Sequence, residues 1–219
     1  DRPINMIPFE IWALLEGRKT QTRRFAWWRL VDELESFADG IKRPLLRPFT
    51  LPTIWQGVQP GDRLWVRESW QYAKQQYCRC PQGTEAVPCD DWAAGIGCRS
   101  VRDSVVYFAD GASAPKWRPA VHMPRWASRI TLVVTEVRRQ RLQEISEEDA
   151  VAEGIVQHSA GWWWDGMTPQ IAGSTAYGAF YCLWEMLHGK GAWDANPDVV
   201  ALTFTVHRIN IDAIDKEAA

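Results

Sequence analysis

The sequence has no apolar run long enough to cross a bilayer, and residues 1–16 carry Asp1, Arg2, Glu10 and Glu16 in place of a continuous apolar stretch. Because transmembrane segments and secretory signal peptides need such stretches, we expect a cytoplasmic protein with no membrane partner. The net charge is only −2, from 25 basic and 27 acidic residues. Without a cationic excess, the chain is not expected to bind nucleic acid strongly and indiscriminately.

Positive charge is nevertheless concentrated in one part of the chain. Residues 115–141 contain seven lysines and arginines against a single acid, Glu136, whereas residues 144–153 contain five acids. A near-neutral total charge therefore does not exclude a local basic face that meets phosphates.

The length of 219 residues suits one elaborated domain, and 46% apolar residues are enough for a core. Helices are predicted at residues 8–16 and at 176–188, the second with Thr175 as its candidate N-cap, and a further helix is plausible at 30–37. Residues 129–137 alternate between apolar and polar side chains, and 199–206 read as a closing strand. These patterns predict an α+β fold, a small mixed barrel with short flanking helices.

Tryptophan is abundant, with 14 in the chain. Most of these rings are expected in the core, although such rings can also form a stacking platform for bases. Adjacent tryptophans occur as a pair at 27–28 and as a triplet at 162–164. Their side chains cannot all face one core, so some of these rings should be exposed or cover a loop.

A cationic segment, residues 17–24, follows the first predicted helix. Neighbouring arginines should lower the proton affinity of Lys19, and a nearby carboxylate should raise it. Lys19 could then act as a base, with the Thr22 hydroxyl as a nucleophile or an orienting group. The alternative is a basic strand that binds phosphates or surface acids, and spacing alone leaves both open.

Glu153 lies at the end of a short helix that begins with the capping box 146–149 and ends at Gly154. The helix dipole disfavours a carboxylate at this end by roughly 0.3–1 kcal/mol. Either Glu153 is solvated and tolerates the penalty, or a cation elsewhere offsets it. Lys19 and its neighbouring arginines are the candidates.

Residues 71–104 have little periodicity and are predicted to be an insertion. They contain Cys78, Cys80, Cys89 and Cys98, which could hold a structural zinc ion as four thiolates. The alternative is four reduced cysteines, because disulfides are not expected in a cytoplasmic protein.

Three motifs resemble the ASCH family of the PUA-like superfamily, whose members handle RNA or modified nucleosides. They are Gly-Arg-Lys-Thr-x-Thr-x-Arg at 17–24, Gly-Asp-x-Leu-x-Val at 61–66, and Ile-Ser-Glu-x-x-Ala-x-x-Glu-Gly-Ile at 145–155. The resemblance covers about half of the chain and implies a single domain over 1–219 with a PUA-like barrel.

One ASCH branch consists of amidohydrolases that remove acyl groups from N4 of acylated cytidine with a lysine, a threonine and a glutamate. The resemblance places Lys19 as base or electrostatic activator, Thr22 as nucleophile or orienter, and Glu153 in proton transfer. The resemblance and the neighbouring charges also give four candidate substrate contacts: Arg23, Arg24, Arg67 and Glu68. For Arg67 and Glu68, a local ion pair is the alternative.

This chain is about twice as long as those amidohydrolases and has extra residues after Arg24, Trp70 and Ile155. It is more similar to ASCH proteins of phages and prophages. We therefore expect recognition of nucleic acid or of a modified nucleoside, with hydrolysis of an amide or acyl group on a modified base as the candidate reaction. The alternatives are a non-catalytic module that binds RNA or modified DNA, and a ribonuclease.

Overall fold

The computed structural model describes residues 1–28, 31–36, 42–46, 51–72, 105–112, 114, 116–159, 161–164 and 173–214. Within these ranges the protein is α+β, because short strands with parallel and antiparallel pairings accompany a few helices. The α-helices of the described ranges are α1 (Pro8–Leu15), α2 (Glu147–Ala152) and α3 (Ala176–His188). The strands are β1 (Arg2–Asn5), β2 (Gln21–Phe25), β3 (Trp27–Trp28), β4 (Val31–Ser36), β5 (Lys42–Leu46), β6 (Leu51–Pro52), β7 (Arg63–Arg67), β8 (Trp70–Tyr72), β9 (Val105–Tyr107), β10 (Thr131–Arg141), β11 (Val156–His158), β12 (Gly161–Trp163) and β13 (Asp198–His207).

The chain divides into two compact units, and the first combines Asp1–Trp12, Leu64–Thr131 and Arg208–Ala219. In this unit β1 and β7 pair in parallel, and β8 and β9 pair in antiparallel. Trp70 and Met123 are buried at the centre of an apolar cluster, against which the partly buried rings of β8 and β9 pack. Burial of these large side chains is the main stabilising contribution within the unit.

The second unit combines Ala13–Arg63 and Leu132–His207. Its strands β10, β13 and β2 are neighbours in that order, and β2 runs antiparallel to β13 with Thr22 opposite Leu202. The apolar side chains of β13 from Val199 to Phe204 are buried, which explains why this segment reads as a nearly continuous hydrophobic run. A carboxylate oxygen of Glu147 in α2 accepts the backbone N–H of Ala176 at 2.8 Å, so α2 supports the first turn of α3.

The local signals for helix ends are confirmed. The Ser146 hydroxyl accepts the Asp149 N–H at 3.1 Å at the start of α2, and the Thr175 hydroxyl accepts the Gly178 N–H at 3.0 Å at the start of α3. Each side chain satisfies a backbone donor that the helix leaves unpaired, as expected for an N-cap.

The helix considered plausible at residues 30–37 is wrong. The structure has β4 there, paired in antiparallel with β5 so that Val31 lies opposite Leu46 and Ser36 opposite Lys42. The glutamates of this segment have a high helix propensity, but propensity is a weak local effect. Pairing with a second strand overrides it.

Strand pairing in the described ranges shows no closed barrel, so the structure supports the α+β class without the barrel. Every helix in these ranges is also too short or too polar to traverse a lipid bilayer.

Candidate functional site

The segment before β2 is held in a fixed path by its backbone. Gly17 ends α1 with a φ of 78°, and the N–H groups of Arg18 and Lys19 both bond to the Ala13 carbonyl, at 2.9 and 3.0 Å. Thr20 then donates its N–H to the carbonyl of Ala152, the last residue of α2, at 2.8 Å. The glycine turn therefore delivers Lys19 to the end of α2, because only glycine adopts this backbone conformation without strain.

Lys19 and Glu153 form a buried ion pair. Lys19 Nζ lies 2.7 Å from Glu153 Oε2 and 3.0 Å from the Glu153 carbonyl oxygen, and it stands 5.2 Å from the centre of the Trp164 ring. The two residues are 0% and 3% exposed. The ammonium thus offsets a carboxylate and a carbonyl at the negative end of α2, where both are least favourable.

Arg23 extends this pair into a network. Its guanidinium donates to Glu153 Oε1 at 3.0 Å and to Asp149 Oδ2 at 2.6 Å, and it lies 5.7 Å from the Phe180 ring. Glu153 therefore receives one cation on each carboxylate oxygen, which is the arrangement that a buried carboxylate requires.

Asp149 is the second acid of the network. Burial raises its pKa, but the hydrogen bond from Arg138, the charge of Arg23 and the hydrogen bond from Gln21 outweigh burial and lower it. Arg138 donates to Asp149 Oδ1 at 2.6 Å, and Gln21 Nε2 donates to it at 3.2 Å. Asp149 thus stays ionised between three donors.

Gly154 lets these elements approach closely. Its φ is 106°, and a Cβ at this position would lie 2.9 Å from Ala13 Cβ and 3.1 Å from the Trp164 ring. Position 154 therefore requires glycine both for its backbone conformation and because there is no room for a Cβ. The close approach places Glu153 directly against Lys19.

Thr22 is not joined to the ion pair. It is buried on β2 between Gln21 and Arg23, and successive side chains of a strand point to opposite faces. In the described part of the chain, the Thr22 hydroxyl makes no hydrogen bond to Lys19 or Glu153. The structure thus brings together two of the three residues that the family resemblance proposes for catalysis.

A pocket of about 420 Å³ lies beside the network, at the end of β2. The Arg24 guanidinium lies 5.9 Å from the Trp55 ring, and the Phe25 ring contacts Trp184 and His188 edge-on. Arg23 belongs to both the network and the pocket wall. The lining residues are Arg23, Arg24, Phe25, Trp27, Thr53, Trp55, Trp184, His188, Ala192, Ala195 and Pro197.

Trp184 Nε1 and Arg23 Nε, which belong to residues of this wall, are buried without a hydrogen-bond partner among the described residues, and both side chains are less than 5% exposed. Because buried donors are normally paired, each would gain from an acceptor that reaches it after the surrounding side chains shift.

Arg67 and Glu68 belong to the first unit. The Arg67 guanidinium lies 4.5 Å from the Trp65 ring and donates to the Val121 carbonyl at 3.3 Å. Glu68 is bonded by Arg129 at 2.8 and 3.0 Å rather than by Arg67. Burial raises the pKa of Glu68 despite the opposing hydrogen bond and charge of Arg129. Glu68 is thus held in an ion pair with Arg129, and not in the local pair with Arg67 that was the alternative to substrate contact.

The proposed zinc ligands Cys78, Cys80, Cys89 and Cys98 lie outside the described residues, as does most of the predicted insertion 71–104. The ranges that the structure does describe contain no cluster of histidine, cysteine, aspartate and glutamate that could hold a metal ion. Cys182, in α3, is a half-buried free thiol.

Sequence reasoning missed part of the site. The sequence indicates Asp149 only as part of the helix cap, and it gives no signal that Trp55, Trp184 and His188 line a pocket. The alternation of Arg23, Phe25 and Trp27 is a signal that could have pointed to a polar and aromatic wall. The partners of that wall come from distant parts of the chain, so no spacing rule reveals them.

Comparisons with protein-family models, curated proteins and solved structures give no match to this chain.

Proposed function

We propose that the second unit binds a base of a nucleic acid or of a modified nucleoside in the pocket beside Arg23, within an ASCH-type domain with a PUA-like barrel. The mixed strand pairings and the few short helices support this fold without closing the barrel. The sequence motifs at 17–24, 61–66 and 145–155 are its other support.

The observation that carries the proposal is the composition of the pocket wall. It combines the rings of Trp27, Trp55 and Trp184 with the guanidinium groups of Arg23 and Arg24. Bases stack on aromatic and guanidinium planes, and this stacking tolerates differences in sequence. The volume of about 420 Å³ is also in the range of small-molecule sites.

The unpaired donors of the wall favour a ligand rich in acceptors. After a shift of the pocket side chains that cover them, Trp184 Nε1 and Arg23 Nε would each bond to a carbonyl oxygen or ring nitrogen, such as those of a pyrimidine or of an acyl group on it. An apolar ligand of the same size would leave both donors unsatisfied.

Equilibrium binding tests the proposal. Cytidine and N4-acetylcytidine are titrated calorimetrically into the wild type, into Trp55→Leu, and into Trp126→Leu as a control in the first unit. Loss of a stacking ring is worth about 1–3 kcal/mol per base, so Trp55→Leu should bind roughly 5- to 150-fold more weakly. Trp126→Leu should bind as the wild type does. The absence of binding to the wild type at millimolar ligand would overturn the proposal.

Hydrolysis of the acyl group is a second candidate, favoured by the Lys19–Glu153 pair that Arg23 connects to the pocket wall. Water would add its oxygen to the acyl carbon, the bond from that carbon to N4 would break, and N4 would take a proton. The products are a carboxylic acid and cytidine. Glu153 would transfer the proton, and Lys19 would stabilise the developing negative charge.

Lys19 is fully buried, so an acyl group in the pocket can reach it only after side chains of the pocket wall, such as Arg23, move. Acetate release from N4-acetylcytidine by the wild type and by Lys19→Ala tests this candidate. Turnover that Lys19→Ala abolishes, while thermal unfolding shows that the variant is folded, supports hydrolysis. Binding without turnover leaves the non-catalytic role.

Structural zinc at Cys78, Cys80, Cys89 and Cys98 also stays a proposal, which rests on the sequence. Metal analysis after chelator-free purification should give about one zinc per chain, and less than about half an equivalent would contradict it.

A further inference from the structure

A second, smaller pocket adjoins the first one in the same unit. Its volume is about 230 Å³, and it shares Trp27 with the first pocket. Phe25 and Pro197 line the first pocket, and their chain neighbours Ala26 and Asp198 line the second. Both pockets therefore border the end of β2 and the start of β13, and Trp27 lines both. The second pocket is lined by Ala26, Trp27, Gln56, Arg139, Gln140, Arg141, Asp198 and Val199.

The second pocket carries more positive than negative charge. Arg139 and Arg141 line it, and Asp198 is the single acid among the described residues that line it. Arg139 donates to the Gln56 carbonyl at 2.7 Å, and Arg141 donates to the Asn196 carbonyl at 3.1 Å. These neutral acceptors orient the guanidinium groups without cancelling their charge.

The charged partners of Arg141 leave its guanidinium available. Glu144 bonds to the backbone N–H of Arg141 rather than to its side chain. Asp198 lies 3.4 Å from Arg141 Nε, and the two side chains are 50% and 56% exposed. An ion pair this exposed contributes little, so an anionic ligand can replace Asp198 at small cost.

Gln140 supplies a further donor. It lines the second pocket, and its Nε2 is buried without a hydrogen-bond partner in the described ranges. Because a buried amide N–H is normally paired, this donor would gain from a ligand acceptor once the Gln140 side chain turns toward the pocket.

We propose that the second pocket binds the phosphate of a nucleotide whose base occupies the first pocket. This inference rests on the proposed function, because it assigns the ligand of the first pocket to the class of phosphate-bearing nucleotides rather than free nucleosides. Arg139 and Arg141 hold the phosphate oxygens, for which the planar guanidinium is well matched. Trp27 lies between base and phosphate, against the sugar.

Calorimetric titration of cytidine, cytidine 5′-monophosphate and cytidine 3′-monophosphate at low salt tests the inference. The proteins are the wild type, Arg139→Gln, the double variant Arg139→Gln/Arg141→Gln, and Lys116→Gln as a charge-matched control in the first unit. One of the two monophosphates should bind the wild type about tenfold or more tightly than cytidine does. The double variant should lose that advantage and keep the cytidine affinity, and Lys116→Gln should keep both. Both arginines are exposed, and thermal unfolding checks that the variants fold.

The outcomes separate this inference from the proposed function. Equal wild-type affinity for cytidine and both monophosphates overturns the phosphate site and leaves the base pocket standing. A phosphate advantage that persists in the double variant also overturns it. If no ligand binds the wild type, both proposals fail.

A short pyrimidine oligonucleotide identifies the source of the phosphate. Binding at least as tight as that of the monophosphate, with a salt dependence that Arg139→Gln reduces, assigns the site to a nucleic-acid strand. Exclusion of the oligonucleotide, while the monophosphate binds, assigns it to a free nucleotide.

Discussion

Lys19 Nζ lies 2.7 Å from Oε2 of Glu153, a residue 134 positions further along the chain, and both side chains are buried. Arg23 donates to the other oxygen of the same carboxylate. Lys19 and Arg23 therefore share one buried carboxylate. Without it, their two positive charges would lie close together with no anion between them. The fold depends on Glu153 whether or not the pair performs chemistry.

Glu153→Gln should lower the free energy of unfolding by about 3–5 kcal/mol, because removing one member of a buried ion pair leaves an uncompensated charge. Urea denaturation at neutral pH measures this loss. Glu16→Gln is the matched control, since Glu16 pairs with Arg18 at the surface and its side chain is 57% exposed. Equal effects of the two substitutions would contradict the role given to Glu153.

Gly154→Ala should destabilise the protein by more than the cost of placing alanine at a positive φ. Gly154 and Gly191 both have a positive φ, but a Cβ at Gly191 meets nothing within 4 Å, whereas one at Gly154 lies 2.9 Å from Ala13 Cβ. Gly191→Ala should therefore lose about 1 kcal/mol, and Gly154→Ala about 1–3 kcal/mol more. Thermal unfolding of the two variants compares them, and similar losses would show that the contact with Ala13 relaxes freely.

Local features of the fold are readable in the sequence. Pro8 and Gly17 bracket the first helix, and the Thr175 and Ser146 caps are where the pattern predicts them. These signals act within a few residues, so a single segment contains them. The helix considered plausible at 30–37 fails because strand pairing depends on a partner elsewhere in the chain.

Only part of the candidate site can be predicted from the sequence. An acid at the unfavourable end of α2 implies a cation, and Lys19 occupies that place. Nothing local indicates that Asp149 caps α2 and also binds Arg23 and Arg138, or that Trp184 reaches the pocket at β2. These contacts arise from tertiary packing between distant segments, which one sequence does not encode as a spacing.

Asp149→Asn should make the free energy of unfolding depend less steeply on pH in the acid range. Arg138, Arg23 and Gln21 together lower the pKa of Asp149 below its ordinary value, although burial opposes them. Below about pH 4 the unfolded chain takes up a proton at this position before the folded protein does, so stability falls as pH falls.

Urea denaturation between about pH 5 and pH 2.5 measures this dependence. The wild type should lose stability more steeply than Asp149→Asn. Asp194→Asn, at an exposed acid of the same unit, should follow the wild type. Parallel curves for the wild type and Asp149→Asn would contradict the assignment.

Tyr107→Phe should make the free energy of unfolding depend less steeply on pH in the alkaline range. Burial raises the pKa of Tyr107 to about 12, against the lowering effect of Arg129, and its hydroxyl donates to the Ala127 carbonyl at 2.8 Å. An unfolded tyrosine ionises near pH 10, so above that pH the unfolded chain releases this proton first and the wild type loses stability. Tyr107→Phe forfeits about 1 kcal/mol at neutral pH with the hydrogen bond, but above about pH 10 its stability should fall less steeply. Ultraviolet titration of both proteins provides a direct check, because the tyrosine ionisation near pH 12 in the wild type should be missing from the variant. An unchanged titration curve above pH 10 would assign the late proton to another ring.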